Sequence, residues 1–381
     1  MTTLRSVLGA ITRPLRGGAR RVAEDLRGRR LAARSRRRRG RGSTRRVRLL
    51  GWHGNRAAGD DLLGVCVQQV FDQAARDLDL ELEYVTTDDT DLVVIGGGTL
   101  LGPAVPAIAD AFSGPKVPLV IFGTGFRSET SMLSGEQAAR FRSLLQRASL
   151  CGVRGYLSQH HCVINGVDEV EVIGDPGFSF QPVAVDAPPG KPSVGVMVRA
   201  MGKTGEPQYL ENERVFNMVA EIAGHFLDEL GATLHFFSLA ENIHDSDREG
   251  AEAVMERIGR MDSDRVRFLD AGEDPIEAFS RVASMDYVLS QRLHPTVIAW
   301  QQGKPCVAFD YQFNKTADFM GSIGMGDYVV RTDEYSKDLF LAKYDRLISN
   351  RSNLAEQARR SVDFWRRRQL DFARRALVLI R

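Results

Sequence analysis

A chain of 381 residues has room for two domains of ordinary size. With 43% hydrophobic and 26% charged residues it has neither a disordered nor a membrane-embedded composition, and no apolar run approaches the ~20 residues needed to span a bilayer. The net charge of +2 conceals a division: residues 1–48 hold 17 arginines against Glu24 and Asp25, a local +15 that leaves −13 on the remainder.

The block Arg34–Arg41, RSRRRRGR, repels itself and buries nothing, which predicts a disordered basic arm over residues 1–46. Within the arm Leu4, Val7, Leu8, Ile11 and Leu15 recur at helical spacing, a weak amphipathic pattern broken by Pro14 and Gly17-Gly18. Its longest apolar stretch, Val7 to Ile11, is interrupted by glycine and followed by Arg13, so no secretory signal is expected.

From Val47 the texture changes to short apolar runs alternating with helical stretches. Strands are predicted at Val47–Trp52, Leu82–Thr86, Leu92–Gly96, Pro118–Gly123, Leu150–Val153 and Val170–Gly174, with amphipathic helices such as Asp61–Leu78 and Gly135–Ala148 between them. Then Pro182–Pro192, PVAVDAPPGKP, excludes both helix and central strand and reads as a linker. A second series places strands near Val194–Val198, Thr233–Phe237, Arg265–Leu269, Tyr287–Ser290, Cys306–Phe309 and Tyr328–Val330. Helices near Glu213–Leu230, Arg248–Met261, Pro275–Ala283 and His294–Gln302 separate them. Residues 353–381 form a basic amphipathic helix or helix pair.

Strands alternating with helices mean βαβ units and mostly parallel sheets. The expected division is an N-terminal Rossmann-like domain over 47–181, a linker over 182–192 and a C-terminal Rossmann-like domain over 193–352. Two such α/β domains facing across a cleft are the glycosyltransferase-B arrangement, whose sites lie where the strand C-termini of both halves meet. Cys66, Cys151, Cys162 and Cys306 are scattered through apolar segments without a CxxC pair, as expected of reduced core residues in a reducing, cytoplasmic compartment.

Five clusters fall at predicted strand ends. In Gly51-Trp52-His53-Gly54-Asn55 and Gly59-Asp60-Asp61, glycines let the backbone approach a ligand and the helix start favours anions. Asn55 and His53 stand equally as ligand contacts or turn residues, and Asp60 or Asp61 is expected as the helix cap. Gly96-Gly97-Gly98 ends a buried strand without matching a dinucleotide or P-loop motif. Arg154 leaves a strand just before a helix and points to an anion contact, while Asp175 can cap, orient or bind acceptor hydroxyls. Arg199 and Lys203 put two cations on one tight turn, suited either to a phosphate or carboxylate or to solvent. The strongest cluster is Ser290-Gln291-Arg292-Leu293-His294-Pro295, followed by Gly303-Lys304-Pro305, Asn314 and Lys315. There Arg292 and His294 stand at the start of a helix that is apolar nearly all round, where packing asks for no polar residue.

The run SQRLHPTVIAWQQGKPCVAFDYQFNKTADFM resembles the signature segment of the polysaccharide pyruvyltransferase family. The DLVVIGGGTLLG strand and the GN…GDD opening are similar to that family's first half, and the likeness runs over residues 48–331. It implies a two-domain enzyme that takes phosphoenolpyruvate as co-substrate, with no other cofactor and no required metal, and a glycan or lipid-linked saccharide as acceptor. By position His294, Arg292, Lys315 and Arg154 match the family's functional residues, with His294 and Lys315 the catalytic pair. Arg56 makes the opening more charged than is usual there, which bears on acceptor recognition.

Phosphoenolpyruvate carries about three negative charges and needs several cations, for which arginine's planar fork is well shaped. Arg154, Arg292, Lys315 and Arg199 or Lys203 supply them, and either His294 or Lys315 protonates the methylene carbon. The main alternative is a nucleotide-sugar-dependent glycosyltransferase holding a ribose on Asp270, Glu273 or Asp274. A nucleic-acid-binding protein led by the arginine arm is weaker, because no base-stacking aromatic motif accompanies the arginines. The arm instead suits peripheral contact with an anionic membrane, helped by Leu4, Leu8 and Ile11.

Overall fold

A computed structural model describes residues 44–51, 53–54, 57–101, 117–126, 135–186, 192–201, 207–241, 245–260, 263–270, 274–310, 314–331 and 336–381. Two parallel six-stranded sheets organise the chain. The first contains β1 (Thr44–Leu50), β2 (Glu81–Tyr84), β3 (Leu92–Gly96), β4 (Leu119–Thr124), β5 (Leu150–Val153) and β6 (Glu171–Val172), in the order 2-1-3-4-5-6. Helices α1 (Ala58–Asp77), α2 (Gly135–Arg147) and α3 (Tyr156–Ile164) connect them. β3 and β4 are apolar without alternation and buried along their whole length, as central strands covered on both faces must be.

The second half begins with β7 (Ser193–Met197), a short β8 (Ala200–Met201) and α4 (Pro207–Glu229). It continues through β9 (Thr233–Ser238), β10 (Asp245–Ser246), α5 (Asp247–Ile258), β11 (Val266–Asp270), α6 (Pro275–Ser284) and β12 (Tyr287–Ser290). Then come α7 (Leu293–Gln301), β13 (Ala308–Asp310), α8 (Lys315–Ser322), β14 (Val329–Arg331), α9 (Lys337–Ser349) and α10 (Arg351–Val378). The main sheet runs 11-9-7-12-13-14, which in chain order is the 3-2-1-4-5-6 of a dinucleotide-binding fold. Its order reverses between β7 and β12, and that of the first sheet between β1 and β3. Ligands of open α/β sheets bind beyond the strand ends at such points. The loops that follow these four strands carry Arg199, the Gln291–His294 segment, Gly51–Gly54 and Gly97-Gly98.

Two sequence expectations shift. β1 starts at Thr44 rather than Val47, pairing Thr44–Arg46 with Glu81–Glu83, so the last arginines of the expected arm belong to the sheet. Asp88 and Asp89 pair with Arg48 and Arg46, and Asp91 accepts the Arg46 N–H at 2.7 Å. The rest of the expected arm, residues 1–43, lies outside the described residues, as do linker residues 187–191.

The C-terminal segment is one 28-residue helix, not a pair. Its buried stripe, Leu354, Ala358, Val362, Trp365, Gln369, Phe372 and Ala376, keeps helical spacing, yet it crosses back onto the first half. Phe372 packs edge-on against Phe122 at 5.9 Å, and Phe122 against Phe71 at 5.3 Å. Each such fully buried ring contributes about 2–3 kcal/mol. Buried Gln369 donates to the Asp175 carbonyl at 2.8 Å and accepts from Ser179 at 2.9 Å, while Trp365 donates to Ser322 of the second half at 3.2 Å. The four cysteines are free and buried, and burial pushes the Cys151 and Cys306 thiols up to about 12, so neither offers a thiolate at neutral pH.

Candidate active site

β12 ends in a turn built by its own serine. The Ser290 hydroxyl accepts the Arg292 N–H at 2.9 Å and donates to the Arg292 carbonyl at 2.8 Å. The Gln291 side chain accepts the Arg199 N–H at 2.8 Å, tying the loop after β7 to the loop after β12 across the switch point. Arg292 is the N-cap residue of α7 and His294 lies in its first turn. A Cβ on Gly59, in the first turn of α1, would stand 2.2 Å from His294 Nδ1. The imidazole therefore reaches from the second half onto a space kept open by a glycine of the first.

His294 Nε2 is buried without a hydrogen-bond partner. Burial, followed by the charges of Arg154, Lys315 and Arg292, lowers its pKa to about 3. These are the three cations that the sequence grouped with it, and they arrive from three separate elements. Neutral at physiological pH, the ring is a proton acceptor at rest.

Arg154 follows β5 and is only 1% exposed. Its Nη1 lies 3.8 Å from Asp175 Oδ2, while Nε and Nη2 have no hydrogen-bond partner. Gly125 makes the space, since a Cβ there would lie 2.4 Å from Nη2. A buried guanidinium with two unmet donors is costly unless an anion completes it. Asp175 itself caps the 3-10 turn Pro176–Ser179 through the Gly177 N–H at 2.8 Å. Burial raises its pKa and Arg154 opposes the rise.

Arg292 does not stand as an open cation. Its Nε donates to Asp247 Oδ1 at 2.9 Å and its Nη2 bonds the same oxygen. Asp247 is fully buried, and its other oxygen accepts the Leu239 and Ala240 N–H groups, each at 3.0 Å. Sequence reading missed Asp247, whose one visible cue is its place behind the helix cap Ser246. Lys315 opens α8 beside Asp310, whose pKa is raised to about 6, chiefly by burial and against the pull of Lys315.

The remaining expectations divide. Gly97 and Gly98 adopt φ of 75° and 70°, and a Cβ on Gly97 would meet Leu63 at 2.6 Å, so this turn requires glycine for its own packing. Neither aspartate caps α1: its N-cap is Ala57, without a side-chain bond, and Asp61 instead accepts the Gly54 N–H at 2.5 Å. His53 is buried against Gly51 and Gly64, its Nδ1–H donating to the Asp60 carbonyl (3.0 Å), and burial lowers its pKa to about 4. Lys304 caps the end of α6 through the Ala283 and Met285 carbonyls at 2.6 and 2.5 Å. Asn55, Lys203 and Glu273 lie outside the described residues.

Structures of similar shape include the S. aureus MnaA–UDP complex, at a TM-score of 0.51 and 11% identity over 83% of this chain and 91% of that one. A glycosyltransferase from Rickettsia africae matches at 0.51 and 10% identity over 89% and 99%. A candidate UDP-N-acetylglucosamine 2-epimerase from Listeria monocytogenes matches at 0.50 and 11% identity over 84% and 91%. At these identities the likeness is one of fold, the glycosyltransferase-B arrangement of two α/β halves. No curated protein sequence matches the chain. The profile of the polysaccharide pyruvyl transferase family matches residues 57–312, more than half of the sequence, and the chain belongs to that family.

Proposed function

We propose that the protein transfers the pyruvyl unit of phosphoenolpyruvate to two hydroxyls of a glycan or lipid-linked saccharide, giving a cyclic ketal and phosphate. The observation that carries this reading is the half-buried, neutral His294, whose buried Nε2 has no hydrogen-bond partner, in the combined field of Arg154, Lys315 and Arg292. A small trianion needs cations held close together, and a proton acceptor among them suits hydroxyl attack.

The atoms balance without a further reactant. One proton joins the methylene carbon, and the first hydroxyl adds to C2. The C2–O bond to phosphate breaks, and the second hydroxyl closes the ring on C2. Of the two protons lost by the hydroxyls, one replaces the proton given to carbon and one leaves with phosphate. His294, neutral at rest, accepts the hydroxyl proton, and the ammonium of Lys315 donates the proton that joins the methylene carbon. Arg154 supplies its two unmet donors to the anion.

A nucleotide-sugar reading would place a ribose on an acidic residue of the second half. Asp270 pairs with Arg248 at 3.0 Å, and Asp274 caps α6 through Ile276 and Glu277. Both are occupied within the protein.

Incubating the purified full-length protein with phosphoenolpyruvate and candidate glycans tests the proposal. Phosphate release matched by a ketal methyl signal on the sugar supports it. Turnover only with a nucleotide-sugar refutes it. In this reading the arm, with 14 arginines and two acids over residues 1–43, holds the enzyme at the anionic cytoplasmic face where lipid-linked acceptors lie.

A further inference from the structure

The first turn of α3 has no cap of its own: Gly155 precedes it, and no side chain of its own segment bonds the exposed N–H groups. The partner comes from 161 residues away. Asp318, in α8 of the opposite half, accepts the Leu157 N–H on Oδ1 at 2.8 Å and the Ser158 hydroxyl on Oδ2 at 2.7 Å. The same hydroxyl accepts the Phe126 N–H at 3.1 Å, extending the link to the segment after β4. Asp318 is 5% exposed and Ser158 2%. Gly155 is what allows the approach, since a Cβ there would stand 2.1 Å from Asp318 Oδ1. Its backbone is extended, at φ −151° and ψ 176°, so the need is for space and not for conformation.

The neighbours of this contact give it meaning. Arg154 directly precedes Gly155. Lys315 lies three residues before Asp318, in the same eight-residue helix. Both cations act on His294, and they come from opposite halves of the molecule. Any separation of the two halves would part the two cations and at the same time uncap α3.

We propose that Asp318 is an interdomain latch and a positioning residue: by capping α3 from the opposite half, it couples closure of the cleft to the placement of Arg154 against Lys315. The capping contact is independent of the chemistry. Its consequence for phosphoenolpyruvate rests on the function proposed above. A latch that favours the closed state raises apparent affinity by raising the fraction of binding-competent molecules. Losing it therefore raises KM, while saturating ligand closes the cleft and recovers much of kcat. Damage to the fold alone would instead lower kcat at unchanged KM.

The test uses the full chain with Asp318→Ala, Asp318→Asn and Gly155→Ala. Three quantities are read: amide exchange at Leu157, KM and kcat for phosphoenolpyruvate, and the distance between spin labels at Ala139→Cys and Glu252→Cys. Those two positions are exposed, one on each half, and the native cysteines are buried. Asp318→Ala is expected to speed Leu157 exchange, lengthen or broaden the label distance, and raise KM about 10-fold with a smaller change in kcat. Asp318→Asn keeps an acceptor for the Leu157 N–H and recovers part of each effect. Gly155→Ala pushes Asp318 away without removing its charge and reproduces the loss, so the test survives if Asp318→Ala does not fold. Wild-type exchange, distance and KM in a folded Asp318→Ala or Gly155→Ala protein overturn the latch. If the wild type releases no phosphate from phosphoenolpyruvate, the function reading fails, and exchange and distance still decide the latch.

Discussion

Replacing Gly59 by alanine asks whether the imidazole is placed for chemistry or merely packed. The new Cβ would stand 2.2 Å from His294 Nδ1 and 3.0 Å from Cγ, where ordinary contact begins at 3.4 Å. The ring must retreat by about 1 Å, and a displacement of that size costs on the order of 10²-fold in rate. Gly59 lies in the first turn of α1, and it is not among the positive-φ glycines, so alanine suits the backbone and gains part of the roughly 1 kcal/mol of helix propensity that separates the two residues in a helix interior. That gain offsets the cost of moving a side chain. The expected variant melts near the wild type and loses ~10²-fold in kcat/KM, approaching the 10²–10⁴-fold loss expected of His294→Ala. Gly224→Ala is the control: it sits within α4, a Cβ there meets nothing within 4 Å, and it should stabilise by about 1 kcal/mol at full activity. Phosphate release from phosphoenolpyruvate reads the rate, and thermal melts read the fold. A folded Gly59→Ala enzyme at wild-type rate would refute the placement of His294 at the reacting centre.

Three further outcomes follow from the same geometry. Asp247→Ala leaves half-buried Arg292 and two buried N–H groups without their carboxylate, and should cost about 3–5 kcal/mol in urea unfolding; a loss below 1 kcal/mol would mean that solvent already shields the pair. The folded pKa of His294, about 3, lies below the ordinary imidazole value of 6.5, so the unfolded chain takes up the proton first as pH falls. His294→Asn should therefore gain stability relative to the wild type between pH 6.5 and 3, as read by denaturant melts at pH 7 and pH 4; a pH-independent difference would contradict the depressed value. A chain beginning at Thr44, which keeps β1 whole, should no longer sediment with anionic vesicles where the full chain does, with binding that weakens in salt and is absent on neutral vesicles; equal sedimentation of both chains would leave the arm without this role.

The sequence made the architecture legible because parallel strands leave a strong signal. Runs such as LVVIG and LVIFG, buried on both faces, could be read as central strands without any partner in view. The first strand was harder. Its pattern TRRVRLL joins an arginine-rich tail, and its charges become intelligible only when Asp88, Asp89 and Asp91 arrive from the far end of a helix and another strand. The same limit governs the site. Arg292 and His294 stood out because polar residues interrupted an apolar helix start, while Lys315 was singled out by the family resemblance. Asp247 and Asp318 did not, because each looks like an ordinary acidic residue in the first turn of a helix. Their roles are set by partners 45 and 160 residues away.

Charge pairing in the site sets how an anion can enter. Arg154 faces Asp175, Arg292 is held by Asp247, and Lys315 lies in the field of Asp310. Arg292 is thereby positioned by a carboxylate before any ligand arrives, and less of its side-chain ordering remains to be done on binding. The pairs are unequal. Asp247 engages Arg292 through two donors, whereas Asp175 stands 3.8 Å from Arg154 and leaves two guanidinium donors unmet. The anion's strongest new hydrogen bonds therefore belong to Arg154. An incoming trianion also opposes the cationic field that depresses His294, so ligand binding raises the pKa of the imidazole. A ring too weakly basic to hold a proton in the empty site becomes a stronger base when the anion is in place. In the proposed reaction, burial and the charges that would receive phosphoenolpyruvate together keep His294 unprotonated ahead of it, and the base is strengthened only in the complex where a hydroxyl has a proton to give.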